Sequence, residues 1–187
     1  MAKIIVLYGL PASGKTTQAD LLCKKHGLFQ FGMGDVLRAE IASGSDLGQK
    51  IQTTVASGLL VSDELIAGVL QNVKKQALET GIIFDGFPRI ISQAELLDNM
   101  LAEIGLEVDL FALLKISPEE AEKRIEARAV SGNRSDDRDQ KVINSRMDIF
   151  RQESTPLIAR YRERGKYIEI DGEASIEEVY KEIEKHL

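Results

Sequence analysis

The chain predicts an α/β fold with a mainly parallel, five-stranded sheet. Three observations predict it. Short apolar runs of strand length recur along the chain, with helical patterns filling most of the space between them. The first run passes directly into a glycine-containing loop and then a helical stretch, the opening of a strand–loop–helix unit. Two later helices begin with Ser-x-x-Glu, which marks a helix start. The length of 187 residues suits one domain with a full core, and 43% hydrophobic with 29% charged residues is a globular balance.

The first strand is Ile4–Tyr8. The next residues, Gly9-Leu10-Pro11-Ala12-Ser13-Gly14-Lys15-Thr16, have the form G-x-x-x-x-G-K-[ST], a phosphate-binding P-loop. Backbone N–H groups of such a loop converge on an anion, and the helix start adds partial positive charge. Lys15 brings a full charge to the β- and γ-phosphates, and the Thr16 hydroxyl can ligate Mg²⁺. The stretch from Thr17 reads as a helix that ends near Gly27.

A second strand spans Leu28–Phe31. The segment Gly32–Leu60 follows, glycine-studded and helical between its breaks. Ser62 opens a long helical pattern through Leu65, Ile66, Val69, Leu70 and Val73, closed by Gly81. The third strand, Ile82–Asp85, is a buried-type run that ends in an acid. Asp85 is either a turn or capping aspartate before Gly86, or a carboxylate that steadies Mg²⁺ through water; the P-loop favours the second reading.

The fourth strand is Leu110–Ile116. Ser117-Pro118-Glu119-Glu120 reads as a capping box with proline at the first helical position. On that helix Arg124 and Arg128 stand four apart and share a face. Ser131–Gln140 is a strongly charged loop holding Arg134, and Arg146 lies on the helix after it. A solvated surface loop is the plain alternative for this stretch. The fifth strand is Tyr167–Ile170, and Ser175-Ile176-Glu177-Glu178 starts a C-terminal helix.

Any one of these arginines is by default a solvated surface residue. Arg38, after Gly34-Asp35, and Arg89, after Phe87-Pro88, add to the set. Phosphoryl transfer needs such donors, because its transition state spreads charge over equatorial oxygens. A guanidinium grips phosphate at two points.

Composition removes several classes. The net charge of −6 disfavours binding of nucleic acid through bulk charge. One cysteine, Cys23, excludes a disulfide framework and a four-cysteine zinc site, and it reads as a small core residue. The N-terminus runs straight into a strand and no apolar run nears membrane-spanning length, so a cytoplasmic protein away from membranes is expected.

The motifs together resemble the adenylate kinase family of nucleoside monophosphate kinases over essentially the whole chain. Gly9–Thr17 is similar to that family's G-x-P-G-x-G-K-G-T. Gly34-Asp35-Val36-Leu37-Arg38 matches G-D-x-L-R, and Gly58–Leu65 resembles G-x-L-V-x-D-E-L. Asp85-Gly86-Phe87-Pro88-Arg89 is the D-G-F-P-R signature, with Gln93 at the place of the family's glutamine. Arg134-Ser135-Asp136-Asp137 resembles R-x-D-D, and Thr155–Ile158 and Asp171-Gly172 also have counterparts.

The resemblance implies a P-loop NTPase-like three-layer fold and reversible, Mg²⁺-dependent phosphoryl transfer from ATP to AMP, giving two ADP. It implies one domain: a core of residues 1–31, 61–128 and 141–187, a monophosphate-binding segment 32–60 and a short lid 129–140. ATP would be held by Gly9, Pro11, Ala12, Ser13, Gly14, Lys15, Thr16, Thr17, Arg124 and Gly172. AMP would be held by Met33, Arg38, Leu59, Val61, Gly86, Arg89 and Gln93. Lys15, Arg89, Arg128, Arg134 and Arg146 would be the catalytic residues, with Arg128, Arg134 and Arg146 clamping the transferring phosphoryl group and Mg²⁺ at Thr16 and Asp85. No zinc, no nucleic-acid partner and a monomer are expected.

Four positions depart from the family pattern. Ala12 stands where glycine is usual; a left-handed backbone there costs alanine roughly 1 kcal/mol. Thr16 replaces a glycine, and Leu59 a frequent lysine. Met33 replaces the serine or threonine that meets the adenine, which leaves a UMP or CMP kinase as the nearest alternative. Against it, pyrimidine-preferring relatives usually carry asparagine after the D-G-F-P-R arginine, where this chain has Ile90. A P-loop switch would need N-K-x-D or D-x-x-G, and neither occurs. A nucleic-acid-dependent ATPase is disfavoured by the acidic balance.

Overall fold

The sheet is built on β1 (Ile4–Tyr8), whose five residues are all buried. In the computed structural model, which describes residues 3–57, 59–70, 73–130 and 139–187, β1 is the middle strand. It lies between β3 (Ile82–Asp85) and β4 (Leu110–Lys115), with β2 (Phe29–Gly32) and β5 (Tyr167–Asp171) outermost, in the order β2-β3-β1-β4-β5. Every pairing is parallel. Strands buried on both faces read as continuous apolar runs, and β1, β3 and β4 do so.

Two core layers follow from the alternation of strand side chains. Ile4, Val6 and Tyr8 share one face with Phe31, Phe84 and Phe111. That face is covered by α6 (Ile91–Ala102) through Leu97 and Leu101, and by α8 (Gln140–Glu163) through Leu157 and Tyr161. Ile5 and Leu7 share the other face with Ile83, Ala112 and Ile170. That face is covered by α1 (Lys15–His26) through Ala19 and Leu22, and by α9 (Ile176–Glu184) through Val179 and Ile183. The three layers match the expected architecture.

The register matters for the site. Leu7 is level with Asp85, and Gly32 is level with Asp85. The carboxyl ends of β1, β2 and β3 therefore finish together, where open parallel sheets bind ligands.

The expected strands are all present, displaced by a residue or so. β2 starts at Phe29 and runs to Gly32, β4 stops at Lys115, and β5 reaches Asp171. The region read as one helix from Ser62 to Gly81 holds two, α4 (Asp63–Leu70) and α5 (Lys74–Thr80). Their packing explains the break: α4 lies on α6, whereas α5 turns onto β2. Between β2 and α4 lie α2 (Met33–Ala42) and α3 (Asp46–Ala56), packed on each other.

Helix ends follow local chemistry. Gly27 closes α1 in the left-handed region at φ 69°. Ser175 and Glu178 form the full reciprocal capping box at α9. The box expected at Ser117, before α7 (Pro118–Val130), is only half made. Ser117 Oγ accepts from the Glu120 N–H at 3.3 Å, but Glu120 does not reach back. Its carboxylate takes the Arg124 Nε–H at 2.7 Å, and the Ser117 N–H and hydroxyl turn instead to Glu173. The guanidinium bond carries charge on both partners, whereas the backbone N–H of the box would bring charge on the carboxylate alone. Cys23 is half-buried against the α1–α9 layer, and burial pushes its thiol up to about 11. Residues 131–138 of the charged loop, with Arg134, Asp136 and Asp137, lie outside the described residues.

Candidate active site

The P-loop leaves β1 through Gly9 at φ 147° and enters α1 through Gly14 at φ 95°. A Cβ on Gly9 would come within 2.5 Å of the Leu114 carbonyl oxygen, so no side chain fits there. Ala12 takes φ 62° and is the single non-glycine residue with positive φ among the described residues. The strain expected of it is therefore present, about 1 kcal/mol. Lys15 Nζ folds back over the loop, donating to the carbonyls of Gly9 at 2.9 Å and Leu10 at 2.7 Å and to Ser13 Oγ at 3.2 Å.

Across the sheet, the Thr16 hydroxyl donates to Asp85 Oδ2 at 2.5 Å. The two residues are 69 apart in sequence and meet because Leu7 and Asp85 are in register. A hydroxyl beside a carboxylate that is 8% exposed is an oxygen donor pair of the kind Mg²⁺ accepts when phosphates and water complete its shell.

One cleft of about 310 Å³ gathers most of the expected residues. Gly9, Pro11–Thr17 and Asp85 form one wall, and Arg38, Gly86, Arg89, Arg124, Arg128 and Arg146 line the rest. The acidic chain thus concentrates guanidinium groups at one place. Several are held by neighbours. Arg38 pairs with Asp35 one turn earlier on α2. Arg89 Nε donates to the Gly86 carbonyl at 2.9 Å. Arg124 is fixed at both ends, by Glu120 and by the Gly172 carbonyl, which its Nη1 meets at 3.0 Å. Gly172 itself does not line the cleft; its carbonyl anchors Arg124, and a Cβ there would press within 2.9 Å of Ile116.

A second, much smaller cavity of about 30 Å³ opens from the same Gly86 and Arg89. Met33, Leu37, Leu59, Val61 and Ile66 make it apolar, and Gln93 is its polar group. Gln93 is 2% exposed, and its Oε1 accepts from the Arg89 backbone N–H at 2.8 Å. Met33 and Val61 are buried, whereas Leu59 is more than half exposed.

Sequence reasoning passed over three residues here. Tyr8 and Phe150 line the cleft; Tyr8 reads as ordinary strand, and its place directly before the loop glycine was the available signal. Glu120 holds Arg124, a contact the i,i+4 spacing could have suggested.

A cleft at the carboxyl ends of a parallel sheet, with backbone amides on one wall and arginines on the other, belongs to a P-loop phosphotransferase. Within that class the match is specific. The adenylate kinase family model matches residues 7–166. A protein of Caulobacter sp. (strain K31) named adenylate kinase is 41% identical over 184 residues, 98% of this chain and 97% of its own. The adenylate kinase of Parabacteroides distasonis is 41% identical, covering 97% of this chain and 95% of its own. That of Prochlorococcus marinus (strain NATL2A) is 40% identical over the full length of both. The chain belongs to the adenylate kinase family.

Proposed function

We propose that this enzyme reversibly transfers the γ-phosphoryl group of ATP to AMP, giving two ADP. The observation that carries the reading is the paired arrangement of Arg89 and Gln93. Arg89 belongs to both cavities, and Gln93 sits in the smaller one, anchored on the Arg89 backbone. A monophosphate whose base lies against Gln93 thus has its phosphate beside Arg89 and faces the P-loop.

The P-loop amides, Lys15 and Thr17 hold the ATP phosphates, with Arg124 against its base. Arg38 and Arg89 hold the acceptor phosphate. Arg128, Arg134 and Arg146 neutralise charge on the transferring group. Thr16 and Asp85 would hold Mg²⁺, which supplies charge neutralisation on the polyphosphate. No side chain attacks the phosphorus; positioning and electrostatics lower the barrier.

The segment 32–60 and the lid 129–140 act as moving parts on the core of 1–31, 61–128 and 141–187. The size of the acceptor cavity supports this. It has room for about two water molecules, far short of a purine, so Met33 and Leu59 must move apart to admit a base. Closure over both nucleotides then excludes water that would hydrolyse ATP. The reading carries with it a cytoplasmic monomer acting on free nucleotides. Among the described residues no helix is long and apolar enough to cross a membrane.

The test is a panel of AMP, GMP, CMP and UMP with MgATP. The highest kcat/KM is expected for AMP. Met33, buried in the acceptor cavity, motivates the competing reading, and a strong preference for UMP or CMP would overturn ours.

A further inference from the structure

Tyr8 is the last residue of β1 and one position before the P-loop glycine. Its ring is 4% exposed and packed at 5.2 Å from Phe111 and 5.3 Å from Phe150. Those contacts need only an aromatic ring, and phenylalanine would make them. The hydroxyl is the surplus.

Its location separates it from the other core tyrosine. Tyr161 stacks on Phe111 at 4.3 Å, and its hydroxyl is sealed in the core with no partner among the described residues. Tyr8 lines the cleft beside Arg38 and Arg89. Its hydroxyl makes no hydrogen bond to any described residue, yet it is not among the sealed ones. Strand alternation puts Leu7 on the sheet face covered by α1, the helix of the P-loop, and Tyr8 on the opposite face, in the layer that also holds Met33, Leu37 and Phe87. The Arg89 guanidinium is close enough to act on the Tyr8 phenol.

Resting on the reading of Arg38 and Arg89 given above, we propose that the Tyr8 hydroxyl donates a hydrogen bond to the phosphate of the bound monophosphate. Tyr8 is then a further acceptor-binding residue, contributed by the central strand. Burial and the nearby Glu153 carboxylate hold the phenol protonated well above neutral pH, with the Arg89 charge opposing them more weakly than burial acts. It is therefore a donor, suited to a phosphate oxygen, and plays no part in proton transfer.

The test compares the full-length protein with its Tyr8→Phe variant, which keeps the ring. A hydrogen bond to a charged group predicts about a tenfold rise in KM for AMP, with a matching loss in AMP affinity by calorimetry. KM for ATP and the melting temperature should stay as in the parent protein. A KM for AMP within about twofold of the parent would overturn the proposal, since a lost charged hydrogen bond should exceed that. An equal rise for both nucleotides with a lowered melting temperature would overturn it too, by showing a structural role. Arg89→Ala run in parallel separates the two levels. If Arg89→Ala abolishes transfer while Tyr8→Phe is neutral, only the Tyr8 proposal fails. If Arg89→Ala is neutral as well, the assignment of the acceptor site fails.

Discussion

The loop wall of the cleft and the acceptor wall, which continues into the smaller cavity, are built in opposite ways. Apart from Asp85, the phosphate-loop wall is one unbroken stretch, Gly9 through α1, whose shape follows from backbone sterics and one helix start. The acceptor wall draws on three separate segments, Met33–Arg38, Leu59–Ile66 and Gly86–Gln93, which meet only in the folded chain. The first is open at rest, with Lys15 already bridging its carbonyls. The second leaves a space of only about 30 Å³. Contiguous sequence can preform a site; a site assembled from three segments depends on how those segments pack together.

The strongest test of that contrast is on the acceptor wall. Arg89→Ala should lower kcat/KM by about a thousandfold, since Arg89 both positions the acceptor phosphate and supplies charge beside the group being transferred. The variant should still melt cooperatively, because Arg89 is only half-buried and lines the cleft rather than the core. Near-normal turnover in a folded variant would break the comparison.

Met33→Thr should sharpen it. The new hydroxyl supplies one hydrogen bond toward the base, worth about 1 kcal/mol, so KM for AMP should fall about fivefold with KM for ATP unmoved. The same change removes a buried side chain from the core, and a cost in stability of about 2 kcal/mol is expected in denaturant melts.

On the loop wall the effects are smaller. Ala12→Gly relieves the left-handed strain but loosens the unfolded chain, so a net gain of about 0.5 kcal/mol is expected, roughly 1–2 °C in Tm. Kinetic constants should hardly move. A large change in kcat would show that the strain at Ala12 is used in catalysis.

The smallest effect concerns the tie between α1 and α9. Glu184 accepts from Lys25, His26 and Tyr180, and these bonds, Lys25 first, hold its carboxyl down at about 2 against an ordinary 4.5. A depressed carboxylate stabilises the fold above the unfolded value and loses that contribution as pH falls through the folded one. Glu184→Gln should therefore lower Tm slightly at pH 7. The difference from the parent protein should fade between pH about 4.5 and 2. The pair is exposed, so salt should shrink it as well.

Much of this was legible without coordinates. β1 and β3 stood out because strands buried on both faces are unbroken apolar runs. The Ser175 box was readable because capping is settled within four residues. The Ser117 box was misjudged because Glu120 had a better partner one turn ahead. The helix read from Ser62 to Gly81 kept an apolar rhythm in both halves, and only the different packing of α4 and α5 divided it.

The sequence by itself determined the phosphate loop, the left-handed turn at Ala12 and the start of α9, since sterics and capping act over a few residues. It also carried the acceptor motifs as strings, without placing them. Tertiary structure decided where those strings meet. Strand register set Thr16 against Asp85, and packing brought arginines from four helices and loops to one cleft. The alternation of β1 turned Tyr8 to the face opposite α1, where it lines the cleft. These are long-range pairings, and they exist only once the sheet has closed around β1.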